Sequence, residues 1–512
     1  LFRSLRNLRR LATILRTLAR HDALVWIADL NPPAPAPVAA ALGALRPRLP
    51  VSGRPGERLA RALASLGPGF VKLGQALSTR ADLVGEEVAA DLSRLQDRLD
   101  PFPAAAAHAT IEAELGRRMD ELFAAFDDVP VAAASIAQVH FARTLDGRDV
   151  AVKILRPGVE QAFAEDIALL DWLSRLAIRV MPRIRRLRPV EVVATLAATV
   201  AREMDLRLEA AAASEMAENF RDDPDLRVPA VDWSLTARRT MATERVDGIP
   251  IDERERLIAA GIDPDAVVAA AARVFFKMVF RDGFFHADMH PGNVFVAPDG
   301  ALVAVDYGIV GRIDQPTRAY LADMLMGFLT GDYRAVAEVH FRAGYVPADQ
   351  DIDAFMQATR AIGEPIFGKK LAEISLARLL AQLFAVTEQF RMETQPQLLL
   401  LQKSMLVCEG VGRSLNPEVN MWTLARPLIE EWMVAHRGPA ARVADFARAA
   451  LARLDSLPTL VQNLERAAAV IATGGVRLDR ETLAALSRRG GFGWRALVLA
   501  ALAGAFAMHL LG

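Results

Sequence analysis

The chain has 512 residues, with 61 Lys+Arg against 62 Asp+Glu and a formal net charge of −1. That length supports about three structural units with large cores. The near-zero charge gives no general pull towards nucleic acid, so none is expected as a partner. The single cysteine, Cys408, excludes a disulfide framework and any thiolate zinc or iron–sulfur site. Only six of the basic residues are lysines, against 55 arginines, so each lysine raises the question of why arginine does not serve.

Residues 1–21 carry Arg3, Arg6, Arg9, Arg10, Arg16 and Arg20 with no acid before Asp22. Apolar positions recur at Phe2, Leu5, Leu8, Leu11, Leu15 and Leu18, a spacing that predicts a basic amphipathic helix. Such a helix is solvated or lies on anionic lipid. The run Asn31-Pro-Pro-Ala-Pro-Ala-Pro37 and the break Ser52-Gly-Arg-Pro-Gly56 close an arm and linker over 1–55. A helical extension follows over 56–129, containing Gly69-Phe-Val-Lys72-Leu-Gly74-Gln75.

Residues 135–155 read as a hairpin about Leu145-Asp146-Gly147-Arg148, with Lys153 inside the apolar strand Val150–Leu155. An ammonium there needs an acidic partner or an anionic ligand. Glu203-Met-Asp205-Leu-Arg207-Leu-Glu209 supplies acids. On one continuous helix Asp205 and Glu209 share a face, so Lys153 between them is one reading and a surface pair with Arg207 is the other.

The strongest pattern is Phe285-His286-Ala-Asp288-Met-His290-Pro-Gly-Asn293, followed by Val303-Ala-Val-Asp306-Tyr307-Gly308. A protein-kinase catalytic loop places Asn five residues after its Asp, then a metal-binding Asp-Phe-Gly. Here Asp288 would take the acceptor's proton, Asn293 and Asp306 would hold Mg²⁺, and Lys153 would meet phosphate. A zinc or iron site at His286, Asp288 and His290 is the rival, but no second cluster completes it. The glycine-rich phosphate loop is replaced by Pro130-Val131-Ala132-Ala133-Ala134-Ser135-Ile136-Ala137-Gln138, which lacks the backbone freedom of glycine.

With Lys72, Gly74 and Gln75, that alanine-rich loop resembles the UbiB family of atypical, protein-kinase-like proteins linked to ubiquinone biosynthesis. The resemblance runs from about residue 60 to 435 and includes Glu409–Pro417 and Trp422. It implies an α+β, two-lobed protein-kinase-like fold, with an N-lobe over 130–240 and a C-lobe over 241–440. A helical N-terminal extension precedes the lobes and a largely helical C-terminal region follows them. It also implies ATP or ADP with Mg²⁺ as cofactors. The loop 130–138, Lys153 and Glu209 would hold nucleotide, with Glu209 paired to Lys153. Lys72, Gly74 and Gln75 would belong to a regulatory extension folded over the cleft with Glu203 and Asp205 of a Glu-x-Asp motif. Ala137 stands where some members of the family have Gly, and Tyr307 replaces the usual Phe.

A helical linker is expected over 441–490 and a hydrophobic membrane-anchoring or transmembrane helix over 491–512. Its apolar core, Ala496–Leu511, is thin for a full crossing. Arg488, Arg489 and Arg495 on its N-terminal side keep the body on the cytoplasmic face of a bacterial inner membrane. The expected partners are membrane lipid and quinone-biosynthesis proteins or quinone precursors. The leading function is a membrane-associated kinase or ATPase supporting ubiquinone biosynthesis. The alternatives are a small-molecule phosphotransferase of the aminoglycoside- or choline-kinase type and a non-catalytic nucleotide-binding scaffold.

Overall fold

Alternating apolar residues build the upper lobe, because successive strand side chains face opposite sides of a sheet. In the computed structural model its strands are β1 (Phe123–Phe126), β2 (Ala132–Ala133), β3 (Ala137–Thr144), β4 (Asp149–Leu155), β6 (Val231–Asp232) and β7 (Thr240–Glu244), with β5 (Leu226–Arg227) paired elsewhere. The order is β1-β3-β4-β7-β6, with β2 added to β3. The expected hairpin is present, and its turn uses Gly147 at φ 87°. Val150, Val152 and Ile154 enter a core with Ile111, Phe123, Ala142 and Ala242. Lys153 therefore faces the other side of β4, towards the cleft. The sheet begins at β1 and ends at β7, slightly outside the 130–240 span read from sequence.

The structure describes residues 2–23, 51–78, 84–92, 100–180, 189–365, 396–419 and 421–437, with isolated positions between 382 and 392. The expected segments 441–490 and 491–512, including the apolar run 496–511, lie outside the described residues. Among those described, no helix is long and apolar enough to cross a membrane.

The N-terminal helices are α1 (Phe2–Arg20), α2 (Pro55–Leu66), α3 (Pro68–Ser78) and α4 (Glu86–Leu92), with α5 (Ala104–Leu115) against the sheet and α6 (Val159–Val180) after β4. Ile14 and Leu18 are buried with Leu59, Leu63, Phe70, Val71 and Leu169 in one core. This revises the lipid-facing expectation for that part of the arm, since the apolar stripe at 14 and 18 is covered by protein. Arg10 fastens the same junction, donating to Asp166 at 2.9 Å and to the Leu66 carbonyl at 3.2 Å.

A second correction concerns residues 203–209, which do not lie on one helix. α7 (Pro189–Glu203) stops, and α8 (Leu206–Asn219) starts with Asp205 as its N-cap. The Asp205 carboxylate accepts from the Arg207 N–H at 3.2 Å, satisfying one of the helix's free first-turn donors.

Below the cleft, β9 (Phe284–His286) pairs with β12 (Val310–Arg312), and β10 (Val294–Val296) with β11 (Leu302–Ala304). β8 (Ile249–Pro250) joins β10, and β5 runs parallel to β11. These short ladders fix both ends of the loop between β9 and β10 and of the turn after β11. The helices α9 (Pro264–Phe276), α10 (Gln315–Thr330), α11 (Tyr333–Arg342) and α12 (Ile352–Gly363) fill this lobe. Two further helices, α13 (Pro396–Leu415) and α14 (Met421–Arg437), follow. Trp432 of α14 donates its indole N–H to the Phe280 carbonyl at 2.8 Å.

Candidate active site

Lys153 joins the two lobes. Its Nζ donates to both Glu209 carboxylate oxygens, at 2.7 and 2.9 Å, and lies 3.1 Å from Asp306 Oδ2. Burial alone would pull its ammonium pKa down, but the Asp306 and Glu209 carboxylates outweigh it and raise it. Burial pushes Glu209 up to about 7, with Lys153 opposing and Asp306 and Glu203 adding to the rise. Asp306 resists its own desolvation because Lys153 holds it down at about 2. Its side chain keeps 47% exposure, so a ligand can reach the carboxylate.

The loop after β9 is set by hydrogen bonds within itself. His286 is fully buried; its Nε2 meets the Val305 carbonyl at 3.1 Å, and its Nδ1 accepts from the Asp288 N–H at 3.1 Å. Burial lowers its pKa, so it is a neutral imidazole of fixed tautomer. His290 Nδ1 accepts from the Gly292 N–H at 2.9 Å. The metal triad of His286, Asp288 and His290 is thus not formed, since both His286 nitrogens are already engaged. Asn293 donates Nδ2 to the Asp288 carbonyl at 3.0 Å, which fixes which end of the amide is the oxygen. Its own carbonyl accepts from the Val305 N–H at 2.9 Å, tying the loop to the segment before Asp306.

Asp306 sits at φ 61°, a left-handed conformation uncommon for a residue with a side chain. The Gly308 N–H holds its Oδ1 at 3.3 Å. Together Asn293 and Asp306 suit Mg²⁺, which takes one or two protein oxygens and fills its octahedron with phosphates and water. Among the described residues, no cluster of three His, Cys, Asp or Glu forms a closed metal cage.

The other expected residues divide. Lys72 meets Glu203 at 2.9 Å, with both side chains largely buried, rather than Asp205. Asp205 instead pairs with Arg207 at 2.6 Å, which keeps its pKa low. Gly74 is buried and Gln75 half-buried on α3 beside this pair. In the alanine-rich loop, Pro130 and Val131 lead into Ala132 and Ala133, which pair with Val139 and Gln138. The Ala134 N–H closes on the Ala137 carbonyl at 2.7 Å.

Gln138 requires a correction. It is buried away from the cleft, accepting from the Phe102 N–H at 3.0 Å and contacting His140 at 2.7 Å. Ile136 and Ala137 are buried as well, which leaves 130–134 as the accessible part of the loop. Ser135 is also fully buried, and its hydroxyl has no partner.

One charged residue escaped the sequence reading. Lys403, on α13, places Nζ 2.7 Å from Asp288 Oδ1. The rarity of lysine was the available signal, but no motif spacing links positions 115 residues apart.

Comparison with known proteins accords with this geometry. A Marinobacter nauticus protein described as "Probable protein kinase UbiB" is 41% identical over 461 residues, spanning 88% of this chain and 84% of its own. The chain belongs to the UbiB family. A relative of the same description from Azotobacter vinelandii is 44% identical over 409 residues, covering 79% of this chain and 75% of its own. The ABC1 atypical kinase-like domain matches 94–340 and the UbiB helical domain 359–420. Lys153, Glu209, Asp288, Asn293 and Asp306 therefore lie in the first segment of this UbiB-family chain and Lys403 in the second. A solved structure from Mycobacterium tuberculosis, described as the complex of Rv3197 with erythromycin, aligns with a TM-score of 0.52 and 27% identity. The match covers 72% of this chain and 93% of that one.

Proposed function

We propose that this UbiB-family chain is a membrane-associated kinase or ATPase that binds Mg-nucleotide and supports ubiquinone biosynthesis from the cytoplasmic face of a bacterial inner membrane. The observation that carries the nucleotide reading is Lys153 held between Glu209 and Asp306, opposite Asp288 and Asn293. Lys153 orients phosphate oxygens, and Glu209 fixes the angle of its ammonium. Asn293 and Asp306 would hold Mg²⁺, which when bound withdraws charge from the phosphate oxygens as a Lewis acid. Asp288 accepts the proton of the attacking hydroxyl or water as the new O–P bond forms. The bond from the terminal phosphorus to the bridging oxygen breaks, and its electron pair leaves on the diphosphate product.

The Lys72–Glu203 pair favours a small acceptor or water over a folded protein substrate. Glu203 ends α7 immediately before α8, which carries Glu209, so the extension anchored by Lys72 is joined to the segment that supplies the Lys153 partner. The apolar run 496–511 motivates the membrane assignment and the family resemblance the quinone assignment. Membrane lipid and quinone-pathway proteins or precursors are the partners that follow.

The test is Mg-dependent ATP turnover by the protein purified in detergent, with and without added anionic lipid, for wild type and Asp288→Asn. Turnover that falls at least about a hundredfold in the variant supports this reading, a size typical for losing a positioned general base. Turnover equal in both proteins contradicts it. Normal quinone content in cells carrying only the variant would separate the quinone role from catalysis.

A further inference from the structure

Phosphoryl transfer gathers negative charge on the terminal phosphate, and sites that catalyse it place cations on both sides of that group. In this cleft Lys153 serves the nucleotide side, where Glu209 and Asp306 already engage it. The loop from Phe285 to Asn293 contains neither lysine nor arginine. Its nearest ring nitrogen, His290 Nδ1, is an acceptor for the Gly292 N–H. On the acceptor side the loop itself offers no permanent positive charge.

Lys403 stands at that place. Its Nζ lies 2.7 Å from Asp288 Oδ1, with side-chain exposures of 38% and 27%, so both groups keep solvent access and a ligand can reach them. The lysine is not a loose surface residue that happens to reach an acid. Its neighbour Ser404 is fully buried and its hydroxyl lies 3.3 Å from the His286 carbonyl, inside the catalytic loop. Leu401 and Val411 of α13 are buried, and Arg254 donates to the Leu415 carbonyl at 2.9 Å at the far end of the helix. The helix is thus fixed against the loop directly beside the lysine.

The residue type adds a second argument. Four lysines have described ion pairs, and three of them converge on the cleft: Lys72 on Glu203, Lys153 on Glu209 and Asp306, and Lys403 on Asp288. In a chain that otherwise uses arginine, a compact ammonium on a flexible stem suits a group that must move between a carboxylate and a phosphate oxygen. A bidentate guanidinium would hold Asp288 and compete with the proton it has to accept.

Resting on the nucleotide-cleft reading above, we infer that Lys403 is a further catalytic residue: the ammonium that binds the terminal phosphate from the acceptor side. Without ligand it rests on Asp288. When nucleotide is present it transfers to a terminal phosphate oxygen, which frees the Asp288 oxygen to receive the acceptor's proton. The catalytic constellation is then completed by the helical domain, across two segments of chain that the family models match separately.

The full-length protein in detergent is titrated with Mg-ADP and with the non-hydrolysable Mg-AMP-PNP, for wild type, Lys403→Met and Lys403→Arg, and ATP turnover is then measured. Lys403→Met should leave ADP affinity unchanged, weaken AMP-PNP binding at least fivefold and lower kcat at least tenfold, with Lys403→Arg restoring part of the AMP-PNP affinity. Loss of affinity for both nucleotides together with a lowered Tm would overturn the assignment in favour of a structural ion pair. A rise in kcat would overturn it in favour of a brake on Asp288. Nucleotide binding and kcat matching wild type would overturn the Lys403 assignment while leaving the cleft reading intact. A wild type that binds neither nucleotide would remove the cleft reading, and this inference with it.

Discussion

Lys153 and Lys277 are both partly buried lysines held by two carboxylates, yet their surroundings differ in charge. Lys277 donates to Asp223 and Asp225, and Arg273 and Arg281 join the same network, with Asp282 beside Arg281. Three cations face three acids there, and Asp225 is held at about 2, chiefly by its bond to Arg273. Around Lys153 one ammonium faces Glu209 and Asp306, and Glu209 is pushed up to about 7. The first network is neutral and complete. The second lacks one positive charge, a gap that a divalent cation accompanied by phosphate would fill. Two similar ion-pair motifs thus read as a structural rivet and a ligand site, and the charge balance distinguishes them.

The largest expected effect breaks that comparison directly. Lys153→Ala removes a charge-assisted contact worth about 2–5 kcal/mol, so nucleotide affinity should fall at least about tenfold. Lys277→Ala should lower unfolding free energy by about 1–3 kcal/mol and leave nucleotide affinity unchanged. Calorimetric titration and denaturant unfolding of both variants check the pair. Equal effects on binding would erase the distinction.

The Lys153 hairpin and the Asp288–Asn293–Asp306 spacing were legible because each is local. Period-two alternation sets the strands, and a fixed loop length sets the distance from base to metal ligand. The break before Asp205 was not legible, because no Pro or Gly marks it between Glu203 and Leu206. One continuous helix would set Asp205 beside Glu209 at Lys153; with the break, Asp205 becomes a cap paired to Arg207, the other reading of that segment, and Lys153 takes Glu209 and Asp306. Gln138 looked like loop chemistry, but strand alternation turns it inward towards Phe102. Lys403 stayed hidden because its partner comes from a distant segment, brought near only by helix packing.

A smaller effect sharpens the charge argument through pH. Glu209 has its folded pKa raised, from an ordinary 4.5 to about 7, so the folded state binds its proton more tightly than the unfolded state. That contribution to stability is fully present below about 4.5 and is lost as pH rises towards about 7. Relative to Glu209→Gln, the apo wild type should therefore lose stability between these values, at no more than about 1.4 kcal/mol per pH unit. Unfolding midpoints measured from pH 5 to 8 check this, and parallel curves for the two proteins would contradict it.

The smallest effect lies next to Asp306. Tyr307 is buried, its hydroxyl has no partner, and burial raises its pKa. Tyr307→Phe removes an unsatisfied polar group, so stability should stay within about 1 kcal/mol of wild type or rise. A loss of more than about 2 kcal/mol in denaturant unfolding would show that the hydroxyl has a role the geometry does not reveal.

The most direct test of the central claim is nucleotide affinity with and without Mg²⁺ in wild type and Asp306→Asn. If the cleft around Lys153 is one positive charge short, wild type should bind ATP at least about tenfold more tightly with Mg²⁺, about 1.4 kcal/mol. Asp306→Asn, which leaves Lys153 facing a single carboxylate, should lose that Mg²⁺ dependence and bind metal-free ATP at least as well as wild type does. Affinity in wild type that ignores Mg²⁺, or a variant that retains the full dependence, would contradict the account.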